Sequence, residues 1–343
     1  MFTVVLLCIV CFAYWYWCRQ GAKTAEPPSL PGAWPLLGHL PLFFGDGCKI
    51  WNQMSNAIDQ GYDVGGTAKI NLGPITVYGV ADPDDCNTIA TTCLEKDLVY
   101  DLIKPWFGES LFTSRYEVWK NDYKLLNPAF SQTILNTFMD VFNSESRKLV
   151  KEFEKHAGKE PFDHFIYLRH NALNIICRTK FKPFVDILLE LSIEKGAFND
   201  EQIRAQVDFM LAAGHETTPN ALLFTMVLLG SHPDVQEKVF SEIQEVLGGD
   251  RDVDKMGLSR LQYLEAVVKE SLRLFTVVPQ IARKLERDVK LSKTYAMMSM
   301  KTTLAHVVRS YRIKADHTKM RLKYVVTLKP DNDGHYISIE KRT

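Results

Sequence analysis

Hydrophobic positions fall into three regimes along the chain. Residues 2 to 18 hold no charged side chain. At about 1.5 Å per residue they make a helix of roughly 26 Å, close to the hydrocarbon thickness of a bilayer. The run ends in Tyr14-Trp15-Tyr16-Trp17, rings suited to the headgroup level, and Arg19 and Lys23 follow. Positive flanks stay cytoplasmic, so the pattern predicts a single-pass anchor over 1–19 with the body of the chain in the cytoplasm. A cleaved leader would instead want a basic start and small residues at a cleavage site directly after the apolar run.

The second regime is Pro27-Pro28-Ser29-Leu30-Pro31-Gly32-Ala33-Trp34-Pro35-Leu36-Leu37-Gly38-His39. Each proline fixes φ and removes a donor, so residues 20–40 read as a stiff, extended hinge whose leucines and tryptophan can pack on the globule. The third regime, 41–343, is the folded body. A 3.6-residue period over 50–60 precedes two short alternating runs at 67–71 and 75–80, joined by Leu72-Gly73-Pro74, which predict a hairpin. From 82 to about 311 the period is helical, punctuated at Pro105, Pro128, Pro161, Pro183 and Gly248-Gly249. Strand patterns return at 324–328 and 336–339, with Pro330-Asp331-Asn332-Asp333-Gly334 between them as a turn. The fold class is therefore mainly α with a small β component, behind an N-terminal transmembrane helix.

Composition narrows the function. The chain has 343 residues, with 41 basic and 41 acidic side chains and a formal net charge of zero. No like-charge block makes a footprint for nucleic acid, and none is expected as a partner. Seven cysteines stand at 8, 11, 18, 48, 86, 93 and 177, without disulfide or metal-ligand spacing, so they read as reduced thiols and no protein-held metal cluster is expected. Nothing after Cys177 is a cysteine.

The longest helical pattern, about 200 to 229, contains Ala213-Gly214-His215-Glu216-Thr217-Thr218-Pro219 inside an apolar run. An acid and hydroxyls in such a run are costly to bury without partners or water. Gly214 allows close approach to that face. Pro219 removes the bond to the His215 carbonyl and should distort the helix there, opening room for water or a small ligand beside Thr217. A zinc-hydrolase reading of His215-Glu216 fails, because the second histidine it requires would stand at Pro219. Farther on, Glu270 and Arg273 lie three apart on an amphipathic helix over 261–274 and can pair.

In this order, and after such an N-terminus, these stretches carry a resemblance. The chain resembles a microsomal cytochrome P-450, a heme-thiolate monooxygenase, of the ω-hydroxylase-like branch. The proline-rich hinge is similar. Trp119-Lys120-Asn121-Asp122-Tyr123-Lys124-Leu125-Leu126-Asn127-Pro128-Ala129-Phe130 looks like the C-helix. Ala213 to Thr218 looks like the oxygen-binding motif of the I-helix, and Glu270-Ser271-Leu272-Arg273 like the Glu-x-x-Arg of the K-helix. Val278-Pro279-Gln280-Ile281-Ala282-Arg283 resembles the strand after it, and Tyr295-Ala296-Met297-Met298-Ser299-Met300-Lys301 the L-helix.

The resemblance implies a heme cofactor, an NADPH-dependent reductase as electron donor, and a lipophilic substrate of the fatty-acid, hormone or xenobiotic class. It implies location in the endoplasmic reticulum membrane, with lipid as a further partner. By analogy Glu216 and Thr217 handle oxygen-derived protons, Trp119 and Arg283 bind heme propionates, Gly214 gives the cofactor room, and Glu270 with Arg273 is structural.

Three departures accompany it. The family's loop Phe-x-x-Gly-x-Arg-x-Cys-x-Gly, source of the thiolate ligand, is missing where Leu291 runs into Ser292. The F and G helices, which roof the substrate pocket, are missing where Phe181 meets Lys182. The arginine expected four residues after Trp119 is Tyr123. Two internal losses with intact flanks at 181/182 and 291/292 read as skipped exons or a gene-model error rather than drift. Without the roof, apolar faces of the long helix would be uncovered. The chain is then either a monooxygenase or a heme-free truncated relative lacking the electron push of a thiolate.

Overall fold

The computed structural model describes residues 12, 28–63, 67–81, 83–131, 138–178, 182–249, 251–284, 304–325 and 327–341. These residues are mainly helical and contain four two-stranded antiparallel sheets. No helix among them is long and apolar enough to cross a membrane. The anchor expected over 1–19, apart from Phe12, lies outside the described residues, as do the L-helix pattern at 295–301 and the junction at 291/292. The chain divides into two compact units, Met1–Thr91 and Thr92–Thr343.

In the first unit, helix α1 (Gly47–Asp63) precedes the expected hairpin of β1 (Thr67–Leu72) and β2 (Ile75–Val80). Its register runs from Thr67 opposite Val80 to Leu72 opposite Ile75, and Gly73 supplies the left-handed turn position at φ +60°. Helix α2 (Pro83–Thr92) follows. The described part of the hinge is not an extended spacer. Leu30 donates to the Lys69 carbonyl at 2.9 Å and His39 to the Asn71 carbonyl at 2.6 Å, so the segment folds back onto β1. The buried His39 ring clasps it there, with Nε2 donating to the Leu30 carbonyl at 2.8 Å and Nδ1 accepting from the Asn71 amide at 3.0 Å. Those two bonds select the Nε2–H tautomer. A side chain at Gly38 would meet the Asn71 carbonyl oxygen at 2.2 Å, so only glycine permits the approach. Leu30 is buried, whereas Trp34 and Leu36 are each 61% exposed. The Trp34–Gly38 backbone pair closes a tight turn that leaves them outside.

The second unit holds helices α3 (Tyr116–Leu126), α4 (Met139–Glu154), α5 (Phe165–Ile176), α6 (Lys182–Lys195), α7 (Asp200–Ser231), α8 (Pro233–Leu247), α9 (Lys255–Arg260) and α10 (Gln262–Leu274). Strand β3 (Glu95–Lys96) pairs with β4 (Arg283–Lys284). Helix α7 starts where its cap dictates: the Asn199 side chain accepts from the Gln202 amide at 2.8 Å, and the Gln202 side chain accepts from the Asn199 amide at 2.9 Å. It then runs unbroken through Pro219 to Ser231.

Two cores flank this helix. Near its start, Met210 packs in a cluster with Leu126, Ala129 and Ile176 and with Phe184, Leu188 and Leu191 of α6. The last three recur at i, i+4 and i+7, one face of a helix, so the segment following the 181/182 junction shares a core with α3 and α5. Farther along α7, every residue from Thr218 to Gly230 is buried. The uncovered apolar face expected on the long helix does not occur in that stretch, because other helices and β5 close around it. Large exposed apolar side chains stand elsewhere, at Leu102, Trp106 and Ile193.

The C-terminal strands differ from the sequence pattern. β5 (Tyr311–Lys314) pairs with β8 (Ser338–Lys341), and β6 (Leu322–Val325) pairs with β7 (Thr327–Pro330). The expected single strand 324–328 is divided between β6 and β7, which pair with each other, and the expected turn at 330–334 leads into a strand that pairs elsewhere. Alternating apolar and polar residues serve equally for one strand or two arms of a tight hairpin, so period alone did not distinguish them. A helical stretch over 304–310 precedes β5 and buries Leu304, Val307 and Val308 completely.

Candidate active site

The polar island lies midway along α7, where the helix passes from partial to complete burial. Glu216 is 30% exposed and held by two cations from distant segments: Lys329 of β7 at 2.5 Å and Arg169 of α5 at 3.5 Å. His215 Nδ1 lies 3.8 Å from the same carboxylate. Burial, and next the Arg169 charge, hold the His215 imidazole below its usual pKa, against the pull of Glu216.

The Thr217 hydroxyl donates to the Ala213 carbonyl at 2.5 Å, and the Asn220 side-chain amide donates to the Glu216 carbonyl at 2.6 Å. Side chains thus back-bond to the helix on both sides of the proline, and the carboxamide oxygen of Asn220 is buried without a partner among the described residues. A side chain at Gly214 would meet Ile176 at 2.2 Å. The close approach that Gly214 allows is therefore used by α5 packing on α7.

About ten residues, or roughly 15 Å, toward the start of α7, the fully buried Gln206 ties the helix to its neighbours. Its Nε2 donates to Asp122 of α3 at 3.0 Å and its Oε1 accepts from the Leu111 amide at 2.9 Å. Burial pushes the Asp122 carboxyl above the usual range. One turn before Asp122, Trp119 stacks between Tyr116 and Tyr123, with ring centroids at 6.2 and 5.1 Å. The tyrosine standing where an arginine was expected thus extends an aromatic ladder along α3.

Arg283 sits on β4 opposite Lys96 and donates to the Ala282 carbonyl at 3.0 Å and to the Tyr100 hydroxyl at 3.4 Å. Trp119 and Arg283 are related through the β3 ladder rather than by a contact: the Tyr116 amide donates to Glu95 Oε2 at 2.9 Å, and Glu95 pairs with Lys284 beside Arg283. Glu270 and Arg273 form a bidentate pair at 2.7 and 2.8 Å on the exposed face of α10. Inward from them, Ser271 of α10 meets the Thr225 hydroxyl of α7 at 2.9 Å.

Lys329, Arg169, Gln206 and Lys96 escaped the sequence reading. The first three lie 113, 47 and 84 residues from the groups they serve, and nothing in their local sequence marks them. Gln206 left no trace either, since it stands among polar residues between Arg204 and Asp208.

A family model described as Cytochrome P450 matches this chain in two stretches, residues 27–183 and 179–295. Cytochrome P450 4V2 of Homo sapiens is 27% identical over 369 residues, spanning 80% of this chain and 70% of the relative. Cytochrome P450 4F12 of Homo sapiens is 26% identical over 380 residues, spanning 82% and 71%. The probable cytochrome P450 4s3 of Drosophila melanogaster is 26% identical over 320 residues, spanning 66% and 63%. With a helical body, the polar island on its longest helix and a family match over most of its length, this chain belongs to the cytochrome P450 family of heme-dependent monooxygenases.

Proposed function

We propose that the chain derives from the ω-hydroxylase-like branch, anchored once in the endoplasmic reticulum membrane with its body in the cytoplasm. Enzymes of that kind insert one atom of dioxygen into a lipophilic substrate with electrons from an NADPH-dependent reductase. We propose further that the polypeptide in its present form takes up no thiolate-ligated heme and does not turn over.

Heme is the family's cofactor, and the donor groups here meet only part of what it would need. At the β3–β4 corner the Arg283 guanidinium and Lys96 suit carboxylates such as heme propionates. For the thiolate that the group would need, the donor set fails. The cysteine closest to the missing loop in sequence is Cys177, exposed at the end of α5, and no cysteine follows it. That absence carries the proposal, since the thiolate is what favours O–O cleavage in this family. The reading of internal deletions gains support from two further observations, of which only the first has a place in the chain, at 181/182. The family match divides at 179–183, and an alignment over 369 residues exceeds the 343 of this chain, so it includes stretches of the relative with no counterpart here.

In this reading Glu216 and Thr217 are the retained proton-handling pair. Lys329 and Arg169 keep the Glu216 carboxylate in place, and Thr217 has directed its hydroxyl proton to Ala213, leaving oxygen lone pairs to accept from a neighbour. At Gly214 the space a side chain would take is filled by Ile176.

The test is the carbon-monoxide difference spectrum of the reduced, heme-supplemented chain. No thiolate-type Soret band and no stoichiometric heme are expected. Such a band would overturn the proposal and restore the working monooxygenase.

A further inference from the structure

The β1–β2 hairpin of the first unit has one edge covered and one open. In an antiparallel pair, alternate residues turn their N–H and C=O groups toward the partner strand and the others turn them away. On β1 the groups turned away belong to Lys69 and Asn71, and the hinge takes them. Lys69 donates to the Pro28 carbonyl at 2.8 Å and accepts from Leu30 at 2.9 Å, while Asn71 accepts from the His39 amide at 2.6 Å and donates to its ring at 3.0 Å. Their partners in the register are Tyr78 and Thr76 of β2. The backbone groups of those two residues therefore point to the outer edge of β2, where no strand among the described residues meets them. Farther along, the Val80 carbonyl accepts from the Cys86 thiol at 3.2 Å. Natural sheets blunt an open edge with charge, proline or a bulge. This one has none of them: no charged residue stands between Lys69 and Asp82, Pro74 precedes the strand, and the register is continuous. Ile75, Val77 and Tyr78 are 57%, 39% and 39% exposed.

We propose that this edge pairs with the same edge of a second copy, antiparallel about a two-fold axis at Val77. In that register Thr76 of one copy faces Tyr78 of the other and exchanges both N–H···O=C bonds with it, and the two Val77 side chains stand opposite each other. Three features select a second copy as the occupant. An uncharged strand meets its own duplicate without the repulsion that like charges would bring. Pairing about a two-fold axis gives each outward donor an acceptor, whereas a lipid surface would leave these backbone groups unpaired. The hinge already covers the β1 edge, so association closes at two copies instead of growing into a fibre. The product is a four-stranded sheet, where a lone two-stranded hairpin is only marginally stable. Neither heme nor the anchor enters the argument, so it stands or falls apart from the proposed function.

The test is the mass of the full chain in detergent, by sedimentation at micromolar concentration, with the contact mapped by cysteine cross-linking. The protein mass should be that of two chains. Tyr78→Pro removes an outward N–H and, at an edge position, spares the β1 ladder. It should halve the mass and leave the far-ultraviolet circular dichroism unchanged. Under mild oxidation Val77→Cys should link to its counterpart, because a non-hydrogen-bonded pair sets the Cα atoms about 4.5 Å apart, within disulfide reach. Ile75→Cys, roughly 14 Å from its counterpart in this register, should link at least about ten-fold less. Peptide mass spectrometry separates these links from any through native cysteines. A monomeric unaltered chain would overturn the proposal, whether lipid, detergent or another segment of the same chain covers the edge. So would a dimer that Tyr78→Pro leaves intact, or equal linking at positions 75 and 77. The mass of the unaltered chain is read without a variant, so the proposal can fail even where a substitution does not fold.

Discussion

The two halves of α7 have opposite characters on one continuous helix. From Asp200 to Thr217 the helix is mostly half-buried and carries its chemistry: Gln206, His215, Glu216 and Thr217. From Thr218 to Gly230 it is buried throughout and carries mass: Leu222, Leu223, Phe224, Met226, Val227 and Leu229. Pro219 marks the boundary and the helix continues across it, with the side chains of Thr217 and Asn220 back-bonded to the Ala213 and Glu216 carbonyls of the preceding turn. The buried half is a rigid stalk, and its rigidity places the polar half against partners supplied by α5 and β7. Polar groups at the end of such a stalk have their positions set by packing they do not share.

That contrast orders the expected effects of substitution. Phe224 is completely buried and stacks on Phe275 at 5.1 Å. Phe224→Ala should lower stability by about 3–5 kcal/mol in denaturant titrations. A loss under ~1 kcal/mol would mean the second half is not the packed stalk.

A subtler probe is His164, which is fully buried and has only the Leu223 backbone to favour its charged form. Burial, and next the neighbouring His335, lower its pKa from 6.5 to about 3. Between those values the unfolded chain binds a proton that the folded chain refuses. Stability should therefore fall as pH falls from about 6.5, by up to ~1.4 kcal/mol per pH unit, and be unaffected by this group above that range. His164→Leu should flatten the slope between pH 7 and 5. An unchanged slope would show that the ring is protonated or hydrated when folded.

The smallest effect is expected in the polar half. Lys329→Met removes a partly exposed ion pair with Glu216 and should change stability by less than about 1 kcal/mol. Its signature is electrostatic: the His215 imidazole should titrate higher once the Lys329 charge is gone, as followed by NMR. A large loss of stability there would erase the distinction between the halves.

Much of the scaffold was legible because it is local. The Asn199 cap, the period of α7 and the Gly73 turn each act within a few residues, so α7 and the β1–β2 hairpin lie within about two residues of their sequence-derived bounds. The C-terminal strands were misread because pairing is a long-range choice that alternation does not encode. The acid and hydroxyl of the site could be recognised from their cost in an apolar run. Their setting could not, since Lys329 reaches Glu216 only after β7 folds against α7. The Glu270–Arg273 pair shows the converse: its spacing announced a contact, and the contact forms in solvent.

The His39 clasp also sets a leash. With Leu30 and Lys69 already joined through the backbone, and Pro28 accepting from Lys69 at 2.8 Å, the tether between the proposed anchor and the first fastened residue is residues 20 to 27. Fully extended, those residues reach at most about 28 Å. With the proposed anchor in a membrane, the clasp would hold β1 within about one bilayer thickness of the surface, a limit that a longer, unclasped hinge would not impose.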